Sequence, residues 1–255
     1  MFGFSMIKSL RLFPLVFILI WMNPVRSAEE VNNRINIGIL GLTPYGFKTK
    51  DGRDAGYIFD ITGEIRKTVK FPGFDEILPV KRLLRELNTG RLDCSIMARG
   101  PITEKSFEML APIGKEVEGV VVPRAGVKLA TYDDLKKLSI AVPDGINIDA
   151  QFDKDTSMHK FTSNGYRQST LLLKNGRVDA MYGAWDSYLF NMRQVGLKRR
   201  DIGERYVFTK SSMWLMCRRD YDNNVVKRRL IEVTNELRDR KVFKKIISRY
   251  LGEYE

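Results

Sequence analysis

Histidine occurs once in the 255-residue chain, at His159, and cysteine twice, at Cys94 and Cys217. No cluster of these residues has metal-ligand spacing, which argues against a zinc site. No Gly-x-Ser-x-Gly nucleophile elbow and no phosphate-binding glycine loop appears. Long apolar runs are missing too: a bilayer span needs about 20 apolar residues. The nearest stretch, Leu12 to Met22, is shorter and carries Pro14. No acidic residue precedes Glu29. These shortages exclude a metalloenzyme, a nucleotide-loop enzyme and a multispan membrane protein.

The N-terminus itself is informative. Lys8 and Arg11 precede the apolar run, Asn23-Pro24 breaks it, and Val25-Arg26-Ser27-Ala28 follows. This is the order of a secretory signal peptide. Cleavage after Ser27 puts Val25 and Ser27 at the two small-residue positions, whereas cleavage after Ala28 puts Arg26 there. We take residues 1–28 as the signal and expect a periplasmic chain, released after cleavage. An uncleaved anchor is the alternative; no cysteine near the site suits lipid attachment.

Lys and Arg number 43 against 31 Asp and Glu, a formal charge of +12. Loss of Lys8, Arg11 and Arg26 with the signal leaves +9. An exported protein does not ordinarily meet nucleic acid, so attraction to anionic surfaces or an acidic ligand is the better reading. A merely solvated basic surface is the bland one. An oxidising compartment permits a Cys94–Cys217 disulfide, but their apolar, strand-like surroundings favour two buried thiols.

Periodicity predicts strands over 35–42, 76–78 and 92–98, with helices over 61–69, capped by Asp60, and 80–88 between them. That alternation implies right-handed crossovers and a largely parallel sheet. A strand over 117–122 ends at Pro123. Thr131 and Asp134 make a capping pair before a helix over 132–138. Strands over 139–142, 178–182 and 213–217 follow, with helices over 168–174, 185–195, a long one around 226–237, and 242–250. The polar stretch 147–165 reads as a helix and a loop.

An internal echo decides the architecture. Leu87-Asn88-Thr89-Gly90-Arg91-Leu92-Asp93 returns as Leu173-Lys174-Asn175-Gly176-Arg177-Val178-Asp179. Each is a helix end, a glycine stop, an Arg, an apolar residue, an Asp and a buried strand. Two similar lobes explain this better than one sheet.

These residues resemble the bacterial periplasmic solute-binding proteins of the amino-acid-binding type, family 3, over nearly all of the mature chain. The likeness rests on Pro44-Tyr45 and Gly56-Tyr57-Ile58-Phe59-Asp60, then on Pro79 to Leu84 and Gly90 to Asp93. It continues with Ile102-Thr103-Glu104-Lys105, Ala111-Pro112, Tyr132 to Leu135, Ile140 to Val142, and the tail Ile246 to Gly252. No one motif is specific; their order is. The resemblance implies a two-lobed type II periplasmic-binding-protein fold of class α/β, each lobe a mixed sheet flanked by helices, with two hinge crossings. Lobe 1 is expected at residues 29–122 and 208–255, and lobe 2 at 123–207. Ligand would sit between the lobes, at strand C-termini and helix N-termini, and hinge closure would trap it.

Seven residues are candidates for ligand contact. Tyr45 and Phe47 follow the first strand and offer aromatic walls, with core packing as the alternative for Phe47. Arg99 stands at the C-terminal mouth of strand 92–98, where a guanidinium can grip a carboxylate; a solvated Arg is the alternative. The family's carboxylate-binding Arg follows a Thr-Pro-Glu run. Here the run is Thr103-Glu104-Lys105-Ser106, so Lys105 can serve only as a point charge. Gly145, in the Asp144-to-Asn147 turn, can present backbone N–H groups to an anion. Trp185 and Asp186 open a helix after a lobe 2 strand, and Asp186 comes slightly later than the family's amine-binding acid. Both departures weigh against an α-amino acid. The function so implied is capture of a small polar, anionic or amino-acid-like solute and its presentation to a membrane permease or a sensor kinase domain. The expected protein is a monomer, with no cofactor, no nucleic acid and no catalysis. The alternative is a dehydratase-like periplasmic enzyme on the same scaffold.

Overall fold

A computed structural model gives the structure, and it describes residues 1–3 and 33–252. The signal-peptide expectation therefore falls almost wholly outside the described residues.

The architecture grows from two three-stranded parallel units. In the first, β1 (Ile37–Leu40) pairs in parallel with β4 (Asp75–Leu78) and β5 (Cys94–Ala98). In the second, β7 (Ser139–Pro143) pairs in parallel with β8 (His159–Ser163) and β9 (Ala180–Ala184). Two long antiparallel strands join them: β6 (Phe107–Pro123) and β10 (Tyr206–Arg218). β10 pairs with β5 and β6 with β9, giving the order β4-β1-β5-β10-β6-β9-β7-β8. The two lobes thus share one continuous mixed sheet rather than owning separate sheets. The crossing strands are long enough to hydrogen-bond into both. A small hairpin of β2 (Phe47–Lys48) and β3 (Asp54–Ala55) stands apart.

Strand alternation sends side chains to both faces, and helices cover each. In the first lobe, Leu215 and Cys217 face α1 (Tyr57–Val69), α7 (Asn224–Asp239) and α8 (Val242–Leu251), while Met216 faces α2 (Val80–Asn88). In the second, Val120 and Val122 face α5 (Tyr166–Lys174) and α6 (Trp185–Val195). Val121 there turns the other way, toward α4 (Ala150–Lys154). The cores of the two lobes share no buried residue; partly buried Leu42 packs against both.

The repeated junction has one physical meaning in both lobes. Gly90 and Gly176 end α2 and α5 with φ of 77° and 66°, a left-handed region that costs glycine least. Asp93 Oδ2 accepts the Asn36 N–H at 2.8 Å, and Asp179 Oδ2 accepts the Ser139 N–H at 3.0 Å. Each acid therefore ties the start of the neighbouring parallel strand.

The structure also departs from expectation. α1 starts at Tyr57 behind Gly56, so Asp60 lies in its first turn instead of capping it. β6 begins ten residues before the expected 117, behind an unforeseen α3 (Pro101–Ser106). Part of 147–165 is the edge strand β8. The helix predicted at 132–138 is a 3₁₀ segment, Tyr132–Lys137, with the expected Thr131–Asp134 capping pair. Cys94 and Cys217 are not two thiols: they sit directly opposite in the β5–β10 register and form a disulfide. Among the described residues no helix is long and apolar enough to cross a membrane, and no group of His, Cys, Asp and Glu could hold a metal.

Candidate functional site

The first turn of α6 is held against the other lobe by the chain's own polar groups. Asp186 is 1 % exposed. Its Oδ2 accepts from the Tyr57 hydroxyl of α1 at 3.0 Å, and its Oδ1 from Lys115 Nζ of β6 at 3.0 Å. One residue on, Ser187 Oγ donates to the Thr43 carbonyl at 2.6 Å, and Asn191 Nδ2 reaches Thr43 Oγ1 at 3.4 Å. Burial pushes the Asp186 carboxyl above its ordinary pKa, while Lys115 and the Tyr57 hydrogen bond pull it down. Burial likewise raises the Tyr45 and Tyr57 hydroxyls, and the nearby Asp186 charge adds to it.

Beside this contact lies a cavity of about 950 Å³. Its walls come from Gly114 to Glu118 of β6, Trp185, Asp186 and Leu189 of α6, the 205–210 end of β10, and Lys244 to Gly252 of α8. Charge there is mixed and mostly paired. Arg205 Nε donates to Glu118 Oε2 at 2.9 Å, Lys210 lies 3.2 Å from Glu118, and the Arg205 guanidinium covers the Trp185 ring at 4.7 Å. Arg205 and Lys210 hold the Glu118 carboxyl below its usual range against the opposing effect of burial. Leu189, Ile247 and Leu251 add apolar surface. Such a cavity suits a small polar solute with an apolar part.

Of the seven sequence candidates, Trp185 and Asp186 line this cavity. Tyr45 is buried nearby, its ring 5.1 Å from Tyr57. Phe47 packs across to Phe190 of α6 at 5.4 Å and to Tyr250 of α8 at 6.4 Å. The other three are elsewhere. Arg99 is half exposed, paired with Glu104 and set over Trp214 at 5.6 Å. Lys105 is exposed on α3, and Gly145 is exposed with φ 72° and open space where a side chain would stand. Lys115, Glu118, Arg205 and Lys210 were not singled out. Lys115, Glu118 and Lys210 are charged residues in strands and Arg205 immediately precedes β10, a local signal for a solvated face; only the pairing of β6 and β10 brings them together.

No protein-family model matches the chain, and no curated protein matches its sequence. Solved structures do match in fold. A histidine kinase sensor domain described as similar to periplasmic binding proteins superposes with a TM-score of 0.70 at 18 % identity, covering 87 % of this chain and 97 % of that one. The chain has the periplasmic-binding-protein fold. A mutant of ArgBP from T. maritima shares this binding-protein fold with a TM-score of 0.67 at 20 % identity, over 87 % of this chain and 96 % of that chain. The substrate-binding protein of an amino acid ABC transporter does so at 0.65 and 21 %, over 86 % of this chain and 100 % of that chain. These neighbours of the binding-protein fold are named as binding proteins or as a sensor domain.

Proposed function

We propose that this chain is a solute-binding protein that takes a small polar solute between its lobes and presents it to a membrane transporter or sensor. The observation that carries this reading is the cavity itself: both lobes and both crossing strands line it, so a bound solute touches every part that lobe motion would separate. The fold neighbours support it, since they include binding proteins of a transporter and a kinase sensor domain. Trp185 and Asp186 are the proposed contacts in the cavity. Tyr45 and Phe47 would shape the lobe contact, and Arg99, Lys105 and Gly145 would serve solute only from outside the cavity. We put the hinge where β6 and β10 pass between residues 29–122 with 208–255 and residues 123–207. The basic, apolar N-terminal segment supports action outside the cytoplasm, and we take the acting species to be a monomer.

The two less exposed acids of the cavity, Asp186 and Glu118, are both engaged by cations, which favours binding over dehydratase chemistry. A thermal-shift screen of the chain with amino acids, polyamines, organic acids and sugar acids tests the proposal. One class should raise the unfolding midpoint. Saturation at about 100 times the dissociation constant stabilises by about 2.7 kcal/mol. A flat response to every class would contradict it.

A further inference from the structure

The C-terminal helix pair carries an unusual share of the charge. Residues 224–252 hold nine Lys and Arg against three Asp and Glu, which is half of the chain's net charge of +12. The two helices handle it differently. On α7 and its C-cap most cations are matched: Arg229 with Glu232, Arg240 with Glu236, Arg238 with Asp239; among the described residues, exposed Arg228 meets only the Asn224 carbonyl. Lys227 is buried against Glu108. α8 contains no acid at all. Lys241, Lys244, Lys245, Ser248 and Arg249 are exposed and recur at helical spacing on one face. Among the described residues, Arg249 of these is the one that meets a carboxylate, Asp60. The opposite face, Phe243, Ile246 and Leu251, is buried in the lobe 1 core.

We propose that this face of α8 is a docking surface for an anionic lipid bilayer. An isolated stripe of like charge on a helix of about 15 Å repels itself and gains from a dense sheet of negative charge. A protein partner is the poorer fit. Stable protein interfaces centre on buried aromatic or aliphatic anchors, and here no apolar residue of α8 is fully exposed: Phe243, Ile246 and Leu251 are buried and Val242, Ile247 and Tyr250 half-buried. What remains is a row of lysines, which are point charges without the planar fork of directed recognition. The contact is therefore adsorption at the headgroups, without insertion, and it is sensitive to salt. It would hold the protein at the membrane where a transporter or sensor waits. Lys244 and Ser248 of this face also line the cavity, so the test is confined to Lys241, Lys245 and Arg249, which do not.

The test is co-sedimentation of the full chain with neutral phosphatidylcholine vesicles and with vesicles containing about one-third phosphatidylglycerol. The neutral arm measures any contribution of the apolar run at Leu12 to Met22. Each cation near an anionic surface strengthens binding about fivefold, so three supply roughly a hundredfold. The anionic vesicles should be preferred by about that factor at low salt. The triple variant Lys241→Gln, Lys245→Gln, Arg249→Gln, which spares the cavity-lining Lys244, should reduce the preference to a few-fold. A control with the same loss of charge on exposed residues of lobe 2, Lys128→Gln, Lys198→Gln, Arg200→Gln, should keep it. Equal binding to both vesicles overturns the proposal, as does an equal loss in the control, or capture by polyglutamate without any preference for the anionic vesicles. If the triple variant does not fold, salt decides: raising it from about 0.05 to about 0.5 M must remove the preference, and a salt-independent preference overturns the assignment. The thermal-shift screen reads solute binding separately, so either result can fail alone.

Discussion

The Asp186 side chain is almost wholly shielded from solvent, and its carboxylate depends on one ammonium and one hydroxyl from elsewhere in the chain. The Lys115 and Tyr57 partners are 71 and 129 positions away. That distance is why Asp186 was legible in the sequence as a candidate while its partners were not. Local pattern marks a polar residue at a helix start; only the folded topology shows what faces it. The shift has a pH consequence. Burial raises the folded pKa above the unfolded one, so the native state holds the proton more tightly. Stability is then greatest below the unfolded value of about 3.9 and declines as pH rises through the folded pKa. Asp186→Asn should remove this decline, so that the variant gains on the native chain as pH rises in thermal unfolding. A difference between the two that stays constant with pH would contradict the assignment.

Elements were legible where they carry their own punctuation. α2, α5 and α6 end at glycines that the structure places at positive φ, and the doubled junction pointed to two lobes. Elements that depend on partners were not legible. The first half of β6 holds Pro112, Gly114 and alternating charges, and it is a strand because β10 pairs with it along its length. β8 is a polar edge strand paired only with β7, with Phe161 exposed. The glycine stops make a clean test. A Cβ at Gly176 would meet nothing within 4 Å, and at Gly90 only Arg218 at 3.7 Å, an ordinary contact. Substitution by alanine at either therefore costs only backbone conformation, about 1 kcal/mol each. Chemical denaturation should show two similar, additive losses; a loss at one site alone would mean that the two junctions are not equivalent.

At the scale of the whole molecule, the two crossing strands do three things: they continue the sheet, carry the charged wall of the cavity, and bring Cys94 opposite Cys217. The disulfide ties residues 123 positions apart, at the lobe 1 end of β10. Thiol titration of unreduced, denatured protein should find no free thiol, and reduction should lower stability by about 2–4 kcal/mol. Two reactive thiols would contradict the pairing. The sequence showed the fold class through the order of its motifs, whereas the cavity arises only when strands distant in the chain cross. Whether that cavity is where solute binds is the central claim, and calorimetric titration tests it most directly. A solute that stabilises the chain should bind one per chain, and Trp185→Ala and Asp186→Ala should each weaken it more than about tenfold, a loss of roughly 1.4 kcal/mol. Unchanged affinity in both variants would place the solute elsewhere and contradict the account.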